Sequence, residues 1–285
     1  MVYPNHDDWG YAEVTLGDAT VASLETRLGQ IDDPLLRSMF WHTLIAMAEK
    51  AELHPSRYFD LVLTHLPGER NDRVVGQVVG DAAALLGLLH GITPEGYEAR
   101  TEYGPRIEAL LRDIFRDGEM AADVRILLFD AYIGLALSDK ATAHLAALLS
   151  GDTAEEGIVV DQDRRWAIIQ QLNAAGYDGA GELLVAETLA DPSDAGQRAA
   201  IAAEAGRPDI AAKRKWLARL HDDDDPLPLS RARAAIYALF PSHQSVIQAG
   251  EAALNDKVIE LGQALVAPDQ FVLPFELASV LLLAA

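Results

Sequence analysis

The stretch DDPLLRSMFWHTLIAMAEK, residues 32–50, decides the fold class. Asp32 and Asp33 supply an acidic cap, and Pro34 presets the backbone angle of a first helical turn. Leu35, Leu36, Met39, Phe40, Leu44, Ile45 and Met47 follow at spacings of three and four, which gathers them into one broad apolar stripe. A strand would alternate every second residue, so this is a helix over 34–50.

The same grammar repeats on both sides of it. Short apolar-periodic segments are separated by Pro, Gly, Asp or Ser, and they predict helices near 19–30, 34–50, 55–66, 71–89, 104–116, 121–137, 139–149, 161–175, 179–190, 194–205, 208–220, 229–239, 243–250, 254–265 and 273–284. Tyr11, Val14 and Leu16 come near alternation within 9–17, a weak sign of an extended piece. The class is therefore all-α. So many short helices cannot all surround one axis, which favours a superhelical stack of paired helices over a closed bundle. No short repeat of tetratricopeptide or ankyrin type is present, so the stack has an irregular period. The reading is a lead-in segment over 1–18 and a helical superhelix domain over 19–285. Internal breaks are expected near 91–104, rich in Gly, Pro and Glu, or near 150–160.

The chain has 285 residues, half of them hydrophobic, enough to bury a large core. Its 44 acidic and 23 basic residues give a formal charge of −21. The acidity is even, with 12 basic and 23 acidic residues in 1–150 and 11 and 21 in 151–285. Nucleic acid and anionic membrane both select for positive charge and are excluded as expected partners. The acidic faces serve solubility, with attraction of basic peptides as the second reading. Cysteine is absent, which removes disulfides, thiolate nucleophiles and Cys-ligated metals. Residues 1–10 are polar and acidic where a secretory signal needs a basic start and an apolar run. Residues 271–285 are apolar but contain Pro274 and Glu276 and fall short of a span. A cytoplasmic location is the expectation.

The chemistry of catalysis is sparse. The histidines are His6, His42, His54, His65, His90, His144, His221 and His243; no two stand four apart and none directly precedes Glu. The zinc-peptidase helix pattern is thus missing, as are a phosphate-binding Gly-Lys-Ser/Thr loop and a dinucleotide fingerprint. The four aspartates Asp222 to Asp225 lack the interleaved glycine of a calcium loop and read as a solvated turn. No metal, cofactor or catalytic constellation is expected. A site assembled from distant groups such as His42 and His90 is the weakest reading.

The densest segment is 161–220. Asp161-Gln162-Asp163 starts a helix whose apolar face holds Trp166, Ile168, Ile169 and Leu172, and Gly176 offers a left-handed ending. Arg165, with its rigid fork, suits a carboxylate on the next helix. Arg165 and Trp166 read as a tie between helices, with ligand contact the alternative. Asp191-Pro192-Ser193 begins another turn, Gly196 permits close packing, Pro208 sits at a helix start, and Lys213 and Trp216 fall three apart on nearly one face.

This succession, Asp163-Arg164-Arg165-Trp166, Gly176, Asp191-Pro192, Gly196, Pro208, Lys213 and Trp216, resembles the C-terminal helical domain of the M1-family zinc aminopeptidases, the aminopeptidase N type. Pro4-Asn5, Asp8, Tyr11 and Leu16, then Asp32-Asp33-Pro34, Arg37 and Trp41, resemble the entrance to that domain and its first helices, so the likeness covers about residues 3–265. The resemblance implies a HEAT-like, bowl-shaped superhelix that covers a catalytic domain and shapes peptide access to its zinc. It assigns family-motif positions to Asn5, Trp41, Arg165, Trp166, Gly176, Asp191, Gly196, Pro208, Lys213 and Trp216. The family's zinc-binding His-Glu-x-x-His helix, Gly-x-Met-Glu-Asn loop and transition-state tyrosine have no counterpart in the sequence. Tyr237 to Phe240 resemble a segment near the end of the family domain, but the chain closes on Leu283-Ala284-Ala285 where a charged helix is expected. The expected function is a non-catalytic accessory domain, partnered by an M1 catalytic domain in cis or trans and by peptide substrate. The alternative is an independent helical-repeat scaffold that binds another protein.

Overall fold

The computed structural model describes residue 3 and residues 13–89, 94–222 and 224–244. Among them the chain forms twelve α-helices and no strand. The helices are α1 (Asp18–Arg27), α2 (Pro34–Glu49), α3 (Pro55–His65), α4 (Asp72–Leu89), α5 (Pro94–Phe115), α6 (Ala122–Leu135), α7 (Asp139–Ser150), α8 (Gln162–Ala175), α9 (Ala180–Ala190), α10 (Asp194–Ala205), α11 (Ile210–Leu220) and α12 (Leu229–Leu239). Short 3₁₀ turns follow α1, α3 and α12. Residues 13–17, within the stretch read as weakly extended, take no regular structure. The helices expected over 254–265 and 273–284, and most of 243–250, lie outside the described residues.

The chain divides into two compact units, Met1–Val160 and Asp161–Ala285. In the first, α2 packs on α3 and α4, α4 on α5 and α6, and α5 on α3 and α6. Its core is aromatic. Phe115 meets Phe129 edge-on with ring centroids 5.3 Å apart and Tyr132 at 5.5 Å, while Trp41 meets Tyr58 at 5.8 Å. In helix α2 the Asp33 side chain accepts from the Leu35 N–H at 2.9 Å, and Pro34 fills the first turn. The stripe is buried only from Met39 onward, and Leu35 stands 45% exposed.

Helix α5 departs from the expectation. A start at 104 was expected after a Gly- and Pro-rich break; the helix instead begins at Pro94 and runs through Gly104 and Pro105. Proline costs an interior helix about 3 kcal/mol. Packing overrides that local preference. Tyr103 stacks on Phe59 at 5.1 Å, and Ile107, Leu111, Ile114 and Phe115 are buried on the same helix.

In the second unit, α8 packs on α9 and α10, and α10 on α11 and α12. Trp216, Leu217, Ala205, Ala235, Ile236 and Leu239 form its apolar cluster. The helix starts are built by side-chain caps: Asp161 accepts from Arg164 N–H, Ser193 from Gly196 N–H, and Asp209 from Ala211 N–H. The last corrects the expected start at Pro208. Helix α11 begins at Ile210, with Asp209 as its cap.

Candidate functional site

The second unit brings eight of the motif residues onto its helix ends and helix faces. Arg165, on the first turns of α8, reaches Glu187 on α9 with Nε 3.0 Å from Oε1 and Nη2 2.5 Å from Oε2. Gln162 donates to the same carboxylate at 2.8 Å. Glu187 is buried, so its charge is matched inside the protein. The guanidinium of Arg165, helped by the amide of Gln162 and opposed by burial, leaves the Glu187 carboxyl below its ordinary range.

One residue on, Trp166 is buried and its Nε1–H donates to Oδ2 of Asp191 at 2.8 Å. Asp191 Oδ1 accepts from the Ser193 N–H at 3.2 Å. Hydrogen bonds from Ser193 and then Trp166 hold the Asp191 carboxyl below its usual value. Gly196 packs against that turn so closely that a β-carbon there would collide with the Asp191 main-chain oxygen and carboxylate, inside the 3.0 Å that real side chains observe. Only glycine fits at this approach.

Gly176 ends α8 with φ of 72°, the left-handed conformation that favours glycine, and Pro208 Cγ lies 3.0 Å from where its β-carbon would stand. Nearby, Gln244 Nε2–H donates to Ala174 O at 2.8 Å and to Gly206 O at 2.6 Å, and His243 Nε2 shares Ala174 O at 3.0 Å. These side chains occupy carbonyls that helices α8 and α10 leave open at their C-termini.

Lys213 is fully buried on α11 beside Trp216. Its Nζ donates to Ala205 O, at the end of α10, at 2.8 Å, and lies 5.9 Å from the centre of the Phe240 ring. Burial lowers its pKa to about 7, although Asp209 opposes this. The cation nonetheless sits where a helix dipole favours it.

Of the other two motif positions, Trp41 is buried on α2 in the first unit and Asn5 lies outside the described residues. Trp41 shares the lining of a cleft of about 300 Å³ with Asp32, Arg37, His65, Glu69 and Arg70. Within it, Arg37 forks onto Glu69 at 2.7 and 2.8 Å and donates to Ile31 O at 2.6 Å. Glu69 also accepts from the Arg70 and Asn71 N–H groups at 2.9 Å.

Sequence reasoning did not find Glu69, Glu108, Glu155 or Glu187, the four glutamates buried among the described residues. Glu108 accepts from Leu137 N–H at 2.8 Å, Ser138 N–H at 3.1 Å and the Ser138 hydroxyl. Glu155 accepts from Arg116 and stands 2.8 Å from His144 Nε2, whose Nδ1 is 3.0 Å from the Tyr132 hydroxyl. Burial lowers the His144 pKa and raises that of Tyr132 to about 12, so the neutral forms are favoured. Each carboxylate joins elements far apart in sequence. For Glu187 a signal existed, a glutamate in the second half of a mostly apolar helix. His42, offered as part of a distant-residue site, is exposed, and His90 lies outside the described residues. Among the described residues no group of three or more His, Asp or Glu is placed to hold a metal, and no helix is long and apolar enough to cross a membrane.

Comparison with known proteins adds a family. The profile of the family described as ERAP1-like C-terminal domain matches residues 1–249. The chain is also 31% identical over 229 residues to the aminopeptidase N of Streptomyces lividans. That alignment takes in 80% of this chain and 26% of the relative, so the chain spans about a quarter of the relative's length.

Proposed function

The chain belongs to the ERAP1-like C-terminal domain family, and from that premise we propose that it acts as the non-catalytic accessory domain of an M1 zinc aminopeptidase. It covers the catalytic domain, in cis or in trans, and shapes the route by which peptides reach the active site. The observation that carries this reading is the alignment itself: a C-terminal-domain profile over residues 1–249, and likeness to a quarter of an aminopeptidase N.

The geometry supports a scaffolding role. Arg165, Trp166, Asp191 and Lys213 are each engaged with a neighbouring turn or helix of their own unit. Such ties hold helix ends in fixed register, which a surface that positions another domain requires. A HEAT-like, bowl-shaped arrangement of the helices would give this surface its concavity.

The test is hydrolysis of a panel of aminoacyl fluorogenic substrates by the purified chain, with and without added zinc, together with its metal content. No turnover and no stoichiometric metal is the expected result. Zinc-dependent turnover that follows the protein through purification would overturn the reading.

A further inference from the structure

A second cleft, of about 220 Å³, lies within the first unit and is lined by residues of α5, α6 and α7 together with Ser138, the cap of α7. Glu108 and Arg112 are four apart on α5 and share the face that borders it, with Asp113 beside them. Lys140 comes from the first turn of α7 and Tyr132 from α6.

These groups differ in how their charge is met. Glu108 is satisfied inside the protein, because the Leu137 and Ser138 N–H groups and the Ser138 hydroxyl all donate to its carboxylate. The Tyr132 hydroxyl is committed as well. Glu155, held ionised by Arg116, can only accept, so His144 carries its proton on Nε2. Nδ1 of the neutral imidazole is then an acceptor, and the Tyr132 O–H donates to it. Arg112 therefore has a neutral hydroxyl as its neighbour, on which its positive charge acts. A neutral group does not cancel a guanidinium. Among the described residues, none of Arg112, Asp113 and Lys140 has an opposite charge at ion-pair distance, whereas Arg116, one turn farther along α5, is matched by Glu155.

We propose that this cleft binds a free α-amino acid as its zwitterion, with Arg112 and Lys140 taking the carboxylate and Asp113 the ammonium group. Unmatched charge of both signs around one cleft selects a ligand that carries both. A simple anion would meet Asp113, and a simple amine would meet two cations. The planar fork of Arg112 suits a carboxylate. Pro105, Ala109 and Ala141 supply apolar lining for a side chain. Pockets for drug-sized ligands run from about 300 to 1,000 Å³, so a cleft of about 220 Å³ favours a single amino acid over a peptide. The inference does not depend on the accessory-domain reading; within that reading, the ligand is of the class an aminopeptidase releases.

The test is calorimetric titration of the full 285-residue chain with L-leucine, with N-acetyl-L-leucine, which lacks the ammonium group as the C-terminal end of a peptide does, and with L-leucinamide, which lacks the carboxylate. L-Leucine is expected to bind with Kd on the order of 1 mM or tighter. Each analogue should bind about tenfold or more weakly, as should L-leucine to Arg112→Gln. Asp113→Asn, at an exposed position, decides the matter should the first variant fail to fold: it should weaken L-leucine by about tenfold and leave N-acetyl-L-leucine unchanged. No saturation by L-leucine up to about 10 mM overturns the proposal. Equal affinity for N-acetyl-L-leucine shows a plain carboxylate site, and equal affinity for L-leucinamide a plain amine site; either overturns the zwitterion assignment. Binding that both folded variants leave unchanged lies elsewhere and overturns it too. All of these results leave the accessory-domain reading standing.

Discussion

Trp166 and Asp191 are joined by an indole N–H to carboxylate hydrogen bond of 2.8 Å that ties the face of α8 to the turn between α9 and α10. That turn is the one against which Gly196 packs without room for a side chain. The bond and the glycine therefore belong to a single joint. Trp166 sets where Asp191 sits, and Asp191 sets how closely α10 can approach.

Gly196→Ala forces a β-carbon into main-chain and carboxylate atoms, so the turn must move rather than a flexible side chain. The expected loss is about 1–3 kcal/mol of unfolding free energy, as for other substitutions that overpack a rigid site. Urea titration followed by far-UV circular dichroism measures it. A change below about 0.5 kcal/mol, the range of ordinary surface substitutions, would refute the close approach.

Gly176→Ala places a side chain at a positive φ of 72° and within 3.0 Å of Pro208. A cost of about 1–2 kcal/mol is expected from the left-handed backbone alone. Gly176→Asn should recover part of it, because Asn tolerates that conformation better than Ala. Equal midpoints for the two variants would count against backbone conformation as the cause.

Glu187→Ala leaves Arg165 without its carboxylate on a partly solvated face, and about 2 kcal/mol should be lost, less than for a fully buried pair. The pH dependence has a definite sign. The Glu187 pKa is lowered in the folded state, so its contribution is complete above the unfolded carboxyl's value near 4.5 and is lost as pH falls below it. Unfolding free energies of wild type and Glu187→Gln measured from pH 7 to 3 should converge on acidification. Parallel curves would contradict the assignment.

Lys213 gives a pH dependence of the same sign in a different window. Its pKa falls from 10.5 to about 7 on folding, so between those values the unfolded chain binds the proton that the folded chain has released. Stability due to this group rises with pH across that window, by up to about 1.4 kcal/mol per pH unit, and levels off at its lowest below pH 7, where both states hold the proton. Lys213→Met removes the titrating amine and should flatten the slope between pH 7 and 10. Chemical denaturation at intervals across that range provides the check, and an unchanged slope would show that Lys213 titrates normally.

Much of this was legible in the chain. Asp161 could be read as the start of α8 and Gly176 as its left-handed ending, because capping is chemistry between residues a few positions apart. The helix bounds 194–205 and 229–239 coincide with α10 and α12 for the same reason. Arg165 could be assigned to a carboxylate on the next helix, but not to Glu187 in particular, which is 22 residues away, nor Trp166 to Asp191, 25 residues on.

The sequence by itself determined the helical class, through apolar residues recurring every three or four positions, and the acidity that disfavours nucleic acid. Those properties are local or additive, and a linear reading captures them. Only the tertiary structure decided that α5 runs through Pro105, that four glutamates go inside, and that α9 presents Val185 and Leu189 outward. Each of these outcomes balances a local cost against a contact made by a distant residue: Phe59 for Tyr103 of α5, Arg165 for Glu187. Such contacts exist only after the helices have packed.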